Sequence, residues 1–225
     1  YYLPNFLPII EEFQQRGGYS LSASIPHIIN DLERRHLFEA VETVGIEFID
    51  GDNEATRQAE LRSRKFDVVI VGIPGMLEKV VSDNTVAVMV YHGIGLKESY
   101  YRDTSPRINI RTVESQERYD ELIRRGETNL ALTGYTKIDP LASTDSQKNN
   151  QFLETLNFSP DRPTLLYAPT FYPSSVEQVL PKLPGLAQEL NVIIKLHGFS
   201  WSQRRYRYHS EQAKQISGEG VYLVT

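Results

Sequence analysis

The chain of 225 residues contains no cysteine, and this absence excludes a disulfide scaffold and a thiolate metal site. A chain without cysteine is compatible with the cytoplasm. No apolar run approaches the roughly 20 residues that a membrane-spanning helix needs. The run from Val68 to Ile73 has the length of a strand instead. No secretory signal peptide is visible, and because the chain begins at Tyr1 we expect an N-terminal piece to lie outside this numbering.

An excess of basic charge is also lacking. The chain has 24 Lys and Arg against 29 Asp and Glu, a net charge of -5. This balance argues against nucleic acid as a partner, because nucleic-acid binding calls for a concentrated basic face. The local exception is Arg204-Arg205-Tyr206-Arg207, which could touch phosphates or an anionic membrane surface. A solvated helix face is the interpretation that we favour.

Several motifs of well-known chemistry are missing. No G-x-G-x-x-G or P-loop pattern is present, so a dinucleotide oxidoreductase or an NTPase has little support. No serine sits in a nucleophile elbow, and the histidine spacings do not indicate a zinc cluster. We therefore expect neither a metal nor a cofactor.

Short apolar, β-branched runs alternate with amphipathic charged segments along the chain. Helices are predicted over 3–16, 27–40, 53–64, 75–81, 115–125, 151–156, 176–190 (interrupted near Pro181 and Pro184) and 202–216. Strands are predicted over 19–25, 45–49, 66–73, 86–91, 107–113, 129–133, 164–168, 192–196 and 221–224. The runs over 66–73 and 86–91 lack polar alternation, as strands buried on both faces of a parallel sheet require.

This alternation predicts an α/β fold of two parallel-sheet units with helices on both faces. The polar, turn-rich segment 138–150 predicts the joint between them. We expect an N-terminal Rossmann-like domain over 1–140, a linker and connecting helix over 141–160, and the first part of a C-terminal domain over 161–225. That last unit is short for a doubly wound domain and stops on a strand, so we expect the natural protein to continue.

Ligands of open α/β sheets bind beyond the carboxyl ends of the strands, so the residues after each apolar run are the candidate sites. His92 directly follows the strand 86–91, and its pKa near neutrality suits it to take a proton from a hydroxyl. Gly93 and Gly95 would let backbone N–H groups approach an anion, and Lys97 adds a positive charge. A turn whose histidine only bonds a neighbour is the alternative.

The second unit repeats this arrangement, with Lys195 and then His197 after an apolar strand. A histidine from each domain would form an acid/base or phosphate-binding pair, whereas a histidine that caps a loop is the alternative. Thr170 is the last residue of the segment 167–170 at the end of a predicted strand. This segment suits a contact with a diphosphate or a ribose, and an ordinary turn is the alternative. Gly134 begins a segment that lines the cleft or forms the hinge between the units, of which we favour the hinge.

Three further histidines, His27, His36 and His209, fall within predicted helices, where surface or packing roles are the simpler interpretation. The segment Asp50-Gly51-Asp52 indicates a turn before a helix, with Asp52 as its N-cap.

Four motifs in this order carry a family resemblance: HGIGLK (92–97), GYTKIDPL (134–141), YAPTF (167–171) and IIKLH (193–197). They resemble the CDP-glycerol glycerophosphotransferase family, which includes the teichoic acid primases and polymerases. The opening segment 1–18 also looks like the first helix of the related UDP-N-acetylglucosamine 2-epimerase-like proteins, which have the GT-B fold.

The resemblance implies a GT-B-like transferase of teichoic acid biosynthesis, acting at the inner face of the membrane. It would move glycerol phosphate, or a similar polyol phosphate, from a CDP-activated donor to a hydroxyl of a lipid-linked or polymeric glycan, with peripheral membrane contact. His92 would be the base for the acceptor hydroxyl, and His197 would stabilise the donor diphosphate. Thr170 and Lys195 would be secondary donor contacts.

Two other functions stay open. A glycosyltransferase or a UDP-N-acetylglucosamine 2-epimerase-like enzyme would use a nucleotide sugar on the same scaffold. An epimerase usually needs several carboxylates around the sugar, and none cluster at the strand ends. A non-catalytic module would recognise a nucleotide or glycan without turnover. The chain also has Ile94-Gly95 where the family has Thr-Pro, and Phe171-Tyr172-Pro173 where it has Trp-Arg-Asp.

Overall fold

The computed structural model describes residues 3–75, 77–91, 93–94, 105–142, 153–156, 158–159, 161–218 and 220–225. The chain divides into two compact units, Tyr1–Ser143 and Thr144–Thr225. Each unit is built from parallel strands joined by helices, so the predicted α/β class with parallel sheets is confirmed.

The elements of the first unit follow the predicted alternation of strands and helices. In chain order they are α1 (Leu3–Arg16), β1 (Ser22–Ala23), α2 (Asp31–Val44), β2 (Glu47–Phe48), α3 (Glu54–Ser63), β3 (Val68–Val71), α4 (Leu77–Val80), β4 (Val86–Val90), β5 (Ile110–Val113), α5 (Gln116–Arg124), β6 (Leu130–Leu132), a 3-10 turn (Thr136–Ile138) and α6 (Asp139–Ala142). Strands β1 and β2 form one parallel pair, and β3-β4-β5-β6 form a four-stranded parallel sheet in that order.

Two boundaries of the first unit differ from the prediction because local capping decides them. Helix α2 begins at Asp31, not at His27, because the side chain of Asn30 accepts a hydrogen bond from the backbone N–H of Glu33 and so caps the helix. Helix α3 is capped by Asn53, so the predicted N-cap at Asp52 is wrong by one residue.

The predicted turn-rich joint is partly helical. The 3-10 turn Thr136–Ile138 runs into α6, which ends at Ala142. Asp139 and Pro140 occupy the first positions of α6, where an acidic side chain and a proline are favourable in a helix. The rest of the segment, 143–150, lies outside the described residues.

One face of the four-stranded sheet carries the core of the first unit. Ala87 and Met89 of β4 are almost completely buried, and they pack with Leu77, Val81 and Leu122 from the α4 and α5 side. The apolar β4 run is therefore buried as predicted on this face.

The opposite face of the sheet is covered less completely. The register pairs Val68 with Val86 and Val88 with Ile110, which places these side chains on one face. Val68, Val86 and Ile110 remain 47%, 39% and 40% exposed. The prediction that the runs 66–73 and 86–91 are buried on both faces is therefore wrong for this face, where the apolar stripe is only partly covered.

The second unit contains a three-stranded parallel sheet in the order β7-β8-β9. Its elements are β7 (Thr164–Tyr167), α7 (Val176–Val179), a 3-10 turn (Leu180–Lys182), α8 (Leu183–Leu186), β8 (Asn191–Lys195), α9 (Phe199–Ser202), a 3-10 turn (Arg204–Tyr206), α10 (Tyr208–Ile216) and β9 (Val221–Val224). The predicted interruption at Pro181 and Pro184 is confirmed. The continuous helix predicted over 202–216 is wrong, because extended backbone at Gln203 separates α9 from the later helical segments.

The core of the second unit lies on one face of its sheet. Val192, Ile194, Val221 and Leu223 point to the same side of the sheet and pack with a layer of helical residues. That layer consists of Val176, Leu180, Leu183 and Ala213, all of which are almost fully buried.

Candidate functional site

Candidate residues of the first unit lie where the strands of its four-stranded sheet end. Gly93 follows β4, and Gly134 follows β6 with a φ of 82°, a left-handed conformation that favours glycine. Strand β5 separates β4 from β6, so both glycines belong to the carboxyl edge of one sheet. His92, Gly95 and Lys97 lie outside the described residues, and their roles stay predictions.

A cavity of about 300 Å³ lies between α1 and the less covered face of the sheet. Ile9 and Phe13 of α1 line one side, and Ile70 and Val88 line another. Its polar lining residues include Thr112 within β5 and Glu114, which directly follows that strand. The cavity is thus lined mainly by apolar groups, as small-molecule sites usually are.

Buried charges lie beside this edge. Arg111 of β5 and Arg118 of α5 are almost completely buried, and each pairs with a glutamate. Arg118 Nε lies 2.8 Å from Glu114 Oε1, and Arg111 Nη1 lies 3.5 Å from Glu127 Oε2. Paired charges of this kind avoid the large cost of burying a single ion.

Tyr91 links these charges to the predicted base, because it immediately precedes His92 in the chain. Its ring lies 4.8 Å from the guanidinium carbon of Arg118, a cation–π contact. Burial raises the pKa of the Tyr91 hydroxyl, although the nearby Arg111 and Arg118 charges oppose that rise. The contact with Arg118 ties the end of β4 to helix α5.

The carboxyl edge of the second sheet holds His197, two residues after β8. The backbone N–H of Phe199 donates to His197 Nδ1 over 3.1 Å. Since Nδ1 accepts this bond, a neutral ring carries its proton on Nε2. The ring centroid also lies 4.7 Å from that of Phe171 and 5.2 Å from that of Phe199, so the imidazole is held on two sides.

The other predicted residues of the second unit lie at the same edge. Thr170 follows β7 by three residues, and Lys195 is the last residue of β8; both are exposed. Because β7 and β8 are neighbours and Phe171 contacts His197, the loop that carries Thr170 meets the loop that carries His197. The pairing of His197 with His92 stays a prediction.

An aromatic cluster extends from His197 toward the basic segment 204–207. Phe171 packs on Tyr206 at 5.1 Å, and the guanidinium of Arg205 lies over the rings of Tyr172 and Tyr206. Tyr206 is buried, whereas Arg204, Arg205 and Arg207 are exposed. The segment is thus a short 3-10 turn anchored by its tyrosine, with three cations facing solvent.

Of the surface and packing roles that were predicted for His209, the structure shows packing, since this residue is 1% exposed within α10. Its Nδ1 lies 3.1 Å from the hydroxyl of Ser200, while Nε2 has no hydrogen-bond partner among the described residues. Burial lowers the pKa of His209, and the charge of Glu177 acts weakly in the opposite direction.

No site was predicted at the ends of β1 and β2, where the structure shows a further polar cluster. His27 lies in the loop after β1, not in a helix, and its Nε2 lies 2.8 Å from Asp50 Oδ1 in the loop after β2. Arg34 donates to the other carboxylate oxygen of Asp50. The position of both residues just after predicted strands was the signal that could have identified them.

Two further features are absent from the part of the chain that the structure describes. No group of three or more His, Cys, Asp or Glu side chains there could hold a metal ion. No helix among those residues is long and apolar enough to cross a membrane.

The two parallel-sheet units define a protein of the GT-B-like α/β class. The UDP-GlcNAc 2-epimerase from Neisseria meningitidis, solved with UDP-GlcNAc bound, matches with a TM-score of 0.57 and 16% identity, over 98% of this chain and 68% of the epimerase chain. The wall teichoic acid polymerase TagF, in a histidine-to-asparagine variant soaked with CDPG, matches with a TM-score of 0.51 and 12% identity. That match covers 89% of this chain and 61% of the polymerase chain.

Other comparisons give no match. No protein-family model and no curated protein sequence matches this chain. At such low identities the two structural matches establish the fold and nothing finer.

Proposed function

We propose that this chain is part of a nucleotide-dependent GT-B transferase that moves glycerol phosphate, or a similar polyol phosphate, from a CDP-activated donor to a hydroxyl acceptor. The observation that carries the proposal is the fixed ring of His197 at the carboxyl edge of the second sheet. In the neutral tautomer the proton is on Nε2, the ring nitrogen that can donate a hydrogen bond to an anion. The fold likeness to a polymerase soaked with CDPG adds support.

In the proposed reaction, His92 takes the proton of the acceptor hydroxyl as the acceptor oxygen attacks the phosphorus that bears glycerol. A new phosphorus–oxygen bond forms, the bond to the bridging oxygen of the diphosphate breaks, and CMP leaves. His197 donates a hydrogen bond to the diphosphate and stabilises the charge that develops on the leaving group. Thr170 and Lys195 add donor contacts from the same edge, while Gly93, Gly95, Lys97 and Gly134 bind on the first unit.

The experiment follows product release from the purified protein. It is incubated with CDP-glycerol and a polyol-phosphate acceptor, and separately with UDP-N-acetylglucosamine. Release of CMP that falls on the order of 10²–10⁴-fold in His92→Ala supports the proposal. His197→Ala is expected to weaken binding of the donor as well. His36→Ala is the matched control, because His36 lies exposed on α2.

The alternative is a glycosyltransferase or 2-epimerase that uses a nucleotide sugar, which the likeness to an epimerase bound to UDP-GlcNAc favours. Release of UDP, or equilibration of the sugar epimers, would move the assignment to that alternative. Binding of a donor without turnover would leave only a recognition module.

A further inference from the structure

The loops that follow β1 and β2 form a polar site distinct from the residues assigned above. The two strands pair in parallel, with Ser22 opposite Glu47 and Ala23 opposite Phe48. Their carboxyl ends therefore lie together, and the chain then brings His27 against Asp50. The two side chains are 28% and 33% exposed, so solvent reaches the pair.

The bonding of Asp50 fixes the tautomer of His27. The guanidinium of Arg34 donates to Oδ2 of Asp50 and also to the backbone carbonyl of Ile25 over 2.7 Å. A carboxylate held this way is ionised and can only accept, so His27 Nε2 must carry the proton that points at Oδ1. The lone pair of the neutral ring is then on Nδ1, and within the described residues Nδ1 makes no hydrogen bond.

A second ion pair holds the backbone of the same loop. The N–H of His27 donates to Glu54 Oε2 over 2.9 Å, and Arg57 binds both oxygens of Glu54. Arg57 also donates to the hydroxyl of Ser24 over 2.9 Å. His27 is thus held by its backbone and by one ring nitrogen, and the other ring nitrogen is presented in a fixed direction.

The local charges select the chemistry of a ligand. The carboxylates of Asp50 and Glu54 engage the guanidinium groups of Arg34 and Arg57, so neither of these two cations is left for a phosphate. A fixed lone pair beside two carboxylates suits a donor of hydrogen bonds instead. Ligands of open α/β sheets bind beyond the carboxyl ends of the strands, and His27 lies in the loop that follows the carboxyl end of β1.

We propose that Nδ1 of His27 accepts a hydrogen bond from a hydroxyl group of a polyol or sugar that binds beyond the carboxyl ends of β1 and β2. Asp50 is a positioning residue that keeps the proton on Nε2. This site does not depend on the donor chemistry proposed for His92 and His197.

The first test needs no variant. Long-range ¹H–¹⁵N spectra of the histidine rings are recorded while glycerol, and separately N-acetylglucosamine, is titrated into the protein. We expect His27 to start as the Nε2–H tautomer and its Nδ1 resonance to move upfield and saturate. Glycerol alone identifies a polyol site, N-acetylglucosamine alone a sugar site, and both together a shared hydroxyl contact. An Nδ1–H tautomer, or an Nδ1 resonance that neither probe moves, would overturn the proposal.

Two variants separate binding from a purely structural role. In Asp50→Asn, Arg34 takes the amide oxygen and leaves the NH₂ group against Nε2, so the proton moves to Nδ1 and the acceptor is lost. We expect Asp50→Asn and His27→Gln each to weaken binding of the probe that responds, by about three- to tenfold. His36→Gln should leave this binding unchanged. If Asp50→Asn switches the tautomer and the probe binds as before, the proposal is wrong.

Discussion

Arg57 and Glu54 form a two-pronged ion pair at the start of α3, with Nε 2.9 Å from Oε2 and Nη2 2.5 Å from Oε1. The pKa of Glu54 is lowered from 4.5 to about 2, chiefly by this pair and also by the N–H of His27 and the amide of Gln58, against the opposing effect of burial. The carboxylate that anchors the β1 loop is therefore ionised at all moderate pH values.

The first prediction concerns acid stability. Because the folded pKa of Glu54 is below its unfolded value, its stabilising effect is complete above about pH 4.5 and is lost as pH falls toward about 2. We expect Glu54→Gln to lower the thermal midpoint at neutral pH and to flatten its decline across this window. Thermal melts at several pH values measure this. Glu117→Gln on the exposed face of α5 is the control, and an equally steep decline in Glu54→Gln would contradict the prediction.

A second prediction concerns Gly51, which follows Asp50. A Cβ atom at this position would lie 2.5 Å from the backbone nitrogen of Arg57 and 2.5 Å from Thr56 Oγ1. We expect Gly51→Ala to push the loop away from α3 and to cost about 1–3 kcal/mol of unfolding free energy. Gly185→Ala is the matched control, because no heavy atom lies within 4 Å of its added Cβ. Chemical denaturation measures the unfolding free energy of both variants. Equal losses in the two would show that Gly51 does not closely approach α3.

A third prediction tests the core of the first unit. Leu122 is completely buried on the inner side of α5, whereas its neighbour Ile123 is 45% exposed. We expect Leu122→Ala to cost about 2–5 kcal/mol, because it leaves a cavity under β4 and β5. Ile123→Ala removes a side chain of equal size from the same turn and should cost much less. Urea unfolding of both variants measures how much unfolding free energy each one loses. Similar losses would show that the buried face of α5 is assigned wrongly.

The fourth prediction concerns His209. Burial lowers the pKa of this histidine, so the unfolded chain binds a proton before the folded one as pH falls. Stability is therefore lost as pH falls below the ordinary histidine pKa of about 6.5. We expect the thermal midpoint to fall between about pH 8 and about pH 5.5, and to fall less in His209→Asn, which keeps a polar group near Ser200.

His36→Asn is the control for this prediction, because His36 is exposed and should leave the pH dependence unchanged. A midpoint of His209→Asn that declines as steeply as that of the parent protein would show that another group sets the acid sensitivity.

Much of the secondary structure could be predicted from sequence, because local patterns determine it. Helix α1 over Leu3–Arg16 and strand β9 over Val221–Val224 were predicted at their observed bounds. The apolar run at β4 predicts a strand in a parallel sheet, and it pairs in parallel with β3 and β5. Where a cap or a single extended residue decides a boundary, as at Asn30 and Gln203, periodicity alone was misleading.

The candidate sites were predicted less completely. Sequence order places His197 after a strand, and the structure adds the hydrogen bond to Nδ1 and the packing on Phe171 that fix its ring. Arg111 lies in a strand of mixed polarity, Ile110–Val113, so the sequence gives little indication that its side chain is buried. Its burial becomes favourable only because Glu127, sixteen positions later, lies within ion-pair distance.

By itself the sequence determined the alternation of strands and helices and the positions just beyond the strands where ligands bind, because these depend on residue periodicity and on the general rules of parallel sheets. Only the tertiary structure decided that His27 and Asp50 meet. They are 23 positions apart, and His27 was predicted within a helix. The parallel pairing of β1 with β2 brings their loops together, and Arg34 then fixes the carboxylate that sets the histidine tautomer.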